Sequence, residues 1–324
     1  MSEPYRWKKL GKVFDPTVST YPSASWIAEF AQAPCVVLHD DFLRVYFSCR
    51  PAPDANGQYT SYSTFLDLDR HDIKNVLRVS DRPVLELGEI GMFDQFGIYP
   101  ISVIAHKDTF RAYYAGWTRC ESVPFNTGIG VAESEDGGKT FAKLGPGPVI
   151  EYTPDEPFVI SGPKIRRFHD KWYLWYIAGR KWVLDDGRPE PVYKIRMATS
   201  DDGLHWNKHG KDLIESRIEP DEAQASPDVV FSGGKYHMFF CYRRSRQYRG
   251  KSGGYRIGYA HSNDLVNWIR DDQRAGITVS QSGWDSEMVS YPHVVQIDAR
   301  TYLFYLGNQV GREGFGVAEL EGEL

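Results

Sequence analysis

The chain carries four cysteines, and no two of them form a Cys-x-x-Cys pair. The common zinc and dithiol motifs are therefore missing. Cys35, Cys49 and Cys241 sit inside apolar, strand-like runs, and with Cys120 they read as reduced residues of a cytosolic protein. No stretch approaches the roughly 18 apolar residues of a membrane span. The opening "MSEPYRWKKL" has no apolar core of the secretory-signal kind. Basic charge is not in excess. The 38 Lys and Arg face 43 Asp and Glu, a net charge of −5, which argues against a broad nucleic-acid-binding face. There is no Gly-Lys-Ser/Thr phosphate loop and no Gly-x-Ser-x-Gly nucleophile turn. No His, Cys and Asp spacing makes a metal signature, and no cofactor is expected.

What the chain does have is aromatic residues, 14% of the total, with 20 Tyr and 9 Trp. That favours strands over helices. It also has an internal repeat. Pro34, Pro100, Pro163, Pro227 and Pro292 each open an apolar run, at successive spacings of 66, 63, 64 and 65 residues. A polar turn follows each, and then an aromatic-rich strand: "LRVYFSCR", "FRAYYAGW", "WYLWYIAGR", "YHMFFCYRR", "YLFYLGNQ". A third strand ends in Ala132, Ala198, Ala260 or Ala318, and "SEDGG" or "SDDGL" leads to a fourth.

Five units of four antiparallel strands predict an all-β chain folded as a five-bladed β-propeller. With no linker or shift of composition, residues 1–324 read as a single domain. The fifth unit stops after its third strand. The missing fourth is expected to be "RWKKLGKVF" at residues 6–14, because it repeats the aromatic-x-Lys-x-Gly spacing of "TFAKLGPGP" and "HWNKHGKDL". Joining the ends would close the ring and remove the exposed sheet edges.

This topology puts the links from strand two to strand three, and from strand four to the next unit, on one face. "CRPAPDANGQYTSY", "GRKWVLDDGRPEPVYK" and "RRSRQYRGKSGGYR" are read there as long, chemically rich loops. Two sets of residues should converge on that face. Before the prolines come Glu29, Asp94, Glu222, Asp285 and Glu287, with Gln32 and Gln224 in the near-copies "EFAQAP" and "DEAQASP". At the ends of second strands come Arg50, Arg180, Arg243 and Asn308. Carboxylates facing guanidinium groups around a funnel suit a polyhydroxylated or anionic ligand. A carboxylate at a strand entrance serves equally well as a bridge between blades, and a repeat would inherit such a bridge. His293, just after Pro292, is the one weak candidate for a metal ligand at the channel.

The "S-D-D-G-x-x-W" turns, the aromatic second strands and the Gly-Pro opening of the third unit resemble the five-bladed propeller glycoside hydrolase superfamily. That superfamily includes arabinanases and xylosidases of family 43, invertases and levansucrase-like enzymes, and the mannoside phosphorylases of family 130. The resemblance spans the whole chain. It implies a carbohydrate-active enzyme that cleaves or transfers a glycosyl unit on a saccharide or sugar-derived ligand, with no nucleic-acid or membrane partner. The family-43 pattern has Asp-Pro at the first two blade openings and Glu-Gly-Pro at a later one. Here Ala33-Pro34, Tyr99-Pro100 and Ser161-Gly162-Pro163 stand there, so all three carboxylates are lost. On that basis Glu222 is expected as acid or base, with Asp94 and Glu287 as its partners. Arg50, Arg180 and Arg243 would hold ligand groups, and Tyr99, Trp117 and Tyr291 would offer stacking surface. A non-catalytic glycan-binding propeller and a phosphate-dependent phosphorylase are the alternatives.

Overall fold

Strand β1 (Trp7–Phe14) belongs to the last blade and is described with it. The computed structural model describes residues 3–250 and 253–324. Blade one is β2 (Glu29–Leu38), β3 (Phe42–Arg50), β4 (Tyr62–Asp69) and β5 (Val76–Val79). Blade two is β6 (Gly97–His106), β7 (Thr109–Arg119), β8 (Phe125–Ser134) and β9 (Ala142–Lys143). Blade three is β10 (Ser161–Phe168), β11 (Lys171–Asp185), β12 (Arg188–Ser200) and β13 (Asn207–Lys208). Blade four is β14 (Ala223–Ser232), β15 (Lys235–Arg243), β16 (Arg256–Ser262) and β17 (Ile269–Arg270). Blade five is β18 (Ser290–Ile297), β19 (Arg300–Leu306) and β20 (Phe315–Leu320), completed by β1. The chain is a five-bladed β-propeller. Trp7 pairs with Leu320 and Gly11 with Val317, so the two ends share a sheet and the ring has no open edge.

The "Ser-x-Asp" turns earn their place through hydrogen bonding. Asp136, Asp202 and Asp264 each accept two backbone N–H groups from the turn that follows them. Side chains of the preceding blade grip two of these turns. The Tyr46 hydroxyl donates to the Gly138 carbonyl and that of Tyr113 to Gly203, both at 2.7 Å.

One expected loop is not a loop. Residues 179–194 continue β11 and β12 as a projecting hairpin closed at Asp186-Gly187, whose φ values are 49° and 78°. Asp-Gly between pairing strands is a two-residue hairpin turn, because both positions need positive φ. Among the described residues no helix is long and apolar enough to cross a membrane.

Around the axis, the first strands are cross-linked side chain to backbone, blade to blade. The Val103 N–H donates to Cys35 Sγ (3.3 Å) and the Ile165 N–H to Ser102 Oγ (3.2 Å). Arg166 Nε donates to the Val229 carbonyl (3.1 Å). The Val294 N–H donates to Asp228 Oδ2 (2.6 Å) and the Val36 N–H to His293 Nε2 (3.0 Å). Inner strands expose one ladder edge to the channel, and these bonds satisfy it.

In blade five the Lys of the aromatic-x-Lys-x-Gly repeat does the closing. Lys9 Nζ lies 2.6 Å from Asp285 Oδ2, a carboxylate that is 3% exposed. Removing one partner of a buried pair strands the other, at about 3 kcal/mol. Lys9→Met should therefore lower unfolding free energy by about that amount. Lys8→Met, on an exposed neighbour, should change it by less than about 0.5 kcal/mol. Urea melts of both variants check this, and equal effects would contradict it.

Candidate functional site

The residues placed near the funnel divide into a sealed set and an open set. The sealed set holds most of the acids. Asp94 (0% exposed) pairs with Lys143 at 2.6 Å and accepts from the Tyr114 hydroxyl at 3.2 Å. Asp285 pairs with Lys9 and accepts from the Tyr305 hydroxyl at 2.9 Å. Glu156, not foreseen from the sequence, accepts from Tyr176 at 2.9 Å and pairs with Arg196 and Lys208. Lys9, Lys143 and Lys208 are the same position of the repeat. Each comes from a fourth strand and neutralises a carboxylate on the connection entering its own blade.

Glu222 is blade four's version, with Arg270 as the cation. It is 0% exposed, and Arg270 donates to its Oε1 at 2.6 Å. Gln224 Nε2 donates to Oε1 at 2.8 Å, and the Arg217 and Ile218 N–H groups both donate to Oε2 at 3.1 Å. Burial works against the charge, yet these hydrogen bonds and Arg270 hold its carboxyl below the ordinary range. Gln224 is 0% exposed and spent in the same cluster. Expected to act on a ligand, Asp94 and Glu222 sit instead in closed clamps with no accessible surface, and Asp285 has almost none.

Two further expected ligands point elsewhere. Arg180 pairs with Asp212 and donates to the Asp155 carbonyl at 2.8 Å. Asn308 holds a loop, accepting from the Glu287 N–H at 2.8 Å and donating to the Gly283 carbonyl at 3.0 Å. His293 is 1% exposed, and Nε2 is taken by the Val36 N–H, which leaves the ring proton on Nδ1, 3.5 Å from Asp228. Among the described residues no group of three or more His, Cys, Asp or Glu side chains could hold a metal.

The open set gathers where every first strand is bulged. Pairing slips between Gln32 and Cys35, Ile98 and Ile101, Ser161 and Lys164, Ala225 and Asp228, and Ser290 and His293. The residue before the proline is left-handed at Ala33, Gly162, Ser226 and Tyr291, with φ of 54°, 63°, 50° and 51°. Non-glycine residues persist there only where the surroundings hold them, and bulges of this kind re-aim side chains. Half-buried Tyr99 and Tyr291 come together, with ring centroids 6.2 Å apart.

Beside Tyr99, the half-buried Arg50 guanidinium lies 4.6 Å over Phe30 and 5.5 Å from the Tyr59 ring. It has neither a carboxylate within 4.0 Å nor a side-chain hydrogen bond among the described residues. Burial and the nearby Arg249 pull its pKa down, while Tyr99 and Glu29 oppose them. Glu29 itself accepts from Arg312 at 2.8 Å, and Gln32 donates to the Val310 carbonyl at 2.5 Å. Glu287 is half-buried, on the connection into β18. Trp117 donates to Ser61 at 2.6 Å and packs beside Phe96.

Behind Tyr291 lies a group only partly foreseen. Arg243, 2% exposed, sits 3.7 Å over the Tyr248 ring and donates to the hydroxyls of Tyr255 (3.0 Å) and Tyr193 (3.3 Å). Tyr193 and Tyr255 were missed, but a signal existed: each stands five residues before the alanine that ends its third strand, Ala198 and Ala260.

No family model matches the chain. The uncharacterized protein Rv1502 of Mycobacterium tuberculosis is 33% identical over 316 residues, 97% of this chain and 99% of that one. The chain belongs to the Rv1502 family. A β-1,2-mannobiose phosphorylase of Thermoanaerobacter sp. is 26% identical over 173 residues, 50% of this chain and 53% of its own. Among solved structures, a member of the GH130 family of mannoside phosphorylases, described as containing glycoside hydrolases that target β-1,2 mannosidic linkages in Candida mannan, superposes with a TM-score of 0.70. It is 16% identical and covers 97% of this chain and 93% of its own. The β-1,2-mannobiose phosphorylase of Listeria innocua, complexed with β-1,2-mannobiose, gives 0.68 at 11% identity, covering 97% and 96%. A thermostable family-43 glycoside hydrolase gives 0.62 at 15%, covering 90% and 88%. These likenesses establish the fold.

Two predictions follow for this Rv1502-family propeller. Glu222→Gln keeps the shape of the side chain but leaves the Arg270 charge without its carboxylate. It should cost about 3 kcal/mol of stability in a denaturant melt, and an unchanged midpoint would contradict the clamp. Burial depresses the His293 pKa from 6.5 to about 3, with Asp228 opposing. Between those values the unfolded chain binds a proton that the fold refuses, so stability is full above about pH 6.5 and falls as the pH drops. His293→Gln should shallow that slope by up to one proton, read from melts at pH 4 to 7.

Proposed function

We propose that the chain is a carbohydrate-active enzyme that holds a glycosyl unit against the tyrosine floor of the funnel and transfers it to inorganic phosphate. Arg50 seats the anionic oxygens. The observation that carries this reading is the sign of the accessible charge. Four acids beside the funnel are each spent on a cation, whereas Arg50 is packed over aromatic faces with no carboxylate within 4.0 Å among the described residues, its neighbour Glu29 being paired with Arg312. Hydrolysis by a pair of carboxylates needs both to reach the scissile bond, at about 5–5.5 Å or roughly 6.5–9.5 Å apart. Phosphate brings its own nucleophilic oxygen and asks the protein for cationic donors. The partial likeness to a β-1,2-mannobiose phosphorylase supports the same reaction class and suggests β-mannosides as first substrates.

The test is a panel of mannosides and other glycosides with and without phosphate. A glycosyl phosphate formed only when phosphate is present is the expected result. Arg50→Met should raise the phosphate KM about 10- to 100-fold, the loss of a charge-assisted hydrogen bond. Equal turnover without phosphate would favour hydrolysis. The sealing of the acids also favours a second reading, a glycan-binding propeller without turnover. Calorimetric binding of a mannobiose with no product in either condition would establish that instead.

A further inference from the structure

Proton bookkeeping around Arg243 leaves one donor over. The Tyr193 and Tyr255 hydroxyls are in direct hydrogen-bond contact, and each also accepts from the Arg243 guanidinium. A phenol has one O–H and two lone pairs. Of the two O–H protons, one lies between the pair. The other has no acceptor among the described residues, although Tyr193 is 7% and Tyr255 3% exposed. Buried donors left without an acceptor are rare and call for a partner.

The cation beneath them is unusual in the same way. Arg243 makes no ion pair with any described carboxylate. Its remaining partners are the Pro191 carbonyl (3.0 Å), the Arg244 carbonyl (2.8 Å) and the faces of Tyr248, Tyr193 and Tyr255. Glu190, the acid near this group, is taken up by Tyr248 and Arg249. A desolvated guanidinium without a counter-ion costs several kcal/mol. It would repay that cost by stabilising negative charge that forms only transiently on its phenols.

Tyr291 links this group to Tyr99. The Tyr255 and Tyr291 rings meet edge to face at 6.1 Å, and Tyr291 in turn lies against Tyr99. The strained backbone at Tyr291, φ 51° just before Pro292, fixes where its half-buried ring stands.

Building on the glycosyl-transfer reading, we propose that Tyr291 is the proton donor to the departing glycosidic oxygen, with the Tyr255–Tyr193–Arg243 group behind it supplying and steadying the charge. Burial holds the Tyr255 and Tyr291 phenols above their ordinary range. At neutral pH both phenols therefore carry their proton. The glycosidic C–O bond breaks as its oxygen takes the Tyr291 proton. The anomeric carbon bonds to an oxygen of hydrogen phosphate, or of water. The negative charge left on the Tyr291 phenolate is stabilised by the Arg243 guanidinium and the phenols around it. The proton lost by the attacking phosphate or water restores the phenol. A phenol thus takes the place of the carboxylic acid missing at the blade openings. Tyr291 is the catalytic residue, and Tyr193, Tyr255 and Arg243 position and polarise it.

The test compares methyl and 2,4-dinitrophenyl glycosides of the sugar that the wild-type protein turns over. Dinitrophenolate leaves without a proton, whereas methoxide does not. Tyr291→Phe should lower kcat on the methyl glycoside by about 10²–10⁴, and on the dinitrophenyl glycoside by less than about tenfold. Tyr255→Phe, which keeps the ring and the packing, should show the same selectivity at smaller size. Arg243→Met should follow it, with circular dichroism confirming the fold. Equal losses on both glycosides, or full activity of Tyr291→Phe on the methyl glycoside, would overturn the phenol donor alone. A wild-type protein inert toward both would overturn the glycosyl-transfer reading on which it rests.

Discussion

A carboxylate buried in the wall of a blade must meet a cation, and in this propeller the cation arrives from the fourth strand of the same blade. Lys143, Lys208, Arg270 and Lys9 reach Asp94, Glu156, Glu222 and Asp285. Each bridge ties an outer strand to the connection that feeds the inner strand. Against an apolar replacement such a pair is worth little, but breaking one costs far more than it contributes. In blade five the bridge also joins the two ends of the chain, alongside the ladder between β1 and β20.

That arrangement uses up the acids. Enzymes that cleave glycosides with paired carboxylates keep them accessible, and four of the acids beside this funnel are not. The other expected residues include cationic and phenolic groups: Arg50 over its aromatic faces, Tyr99 beside Tyr291, and Arg243 beneath two coupled tyrosines. The inner ring of side-chain bonds from Cys35 round to His293 fixes the strands on which these residues stand. With the strands held, the bulges before Pro34, Pro227 and Pro292 can keep an unfavourable backbone angle at Ala33, Ser226 and Tyr291.

Much of this could be read directly. The proline spacing and the aromatic-x-Lys-x-Gly repeat placed the blades and the closing strand, because a repeat that buries its face on its neighbours must recur in register. Tyr99 and Tyr291, both read as stacking surface, stand with their rings side by side, and Arg50 lies over Phe30. Glu222, Asp94 and Asp285 were placed on the right connections but read as facing a ligand. Arg180 and Asn308 were read as ligands yet hold loops. The hairpin beyond Gly179 was taken for a loop, although its Asp-Gly turn was in view.

The sequence by itself determined the number of blades, their strand order and the meeting of the two ends, because hydrophobic periodicity and turn chemistry are local and repeat along the chain. Tertiary structure alone decided which charges are spent. Glu222 meets Arg270 from 48 residues away and Tyr193 meets Tyr255 from 62. A carboxylate or a phenol reads the same in one dimension whether a cation lies against it or only the open funnel.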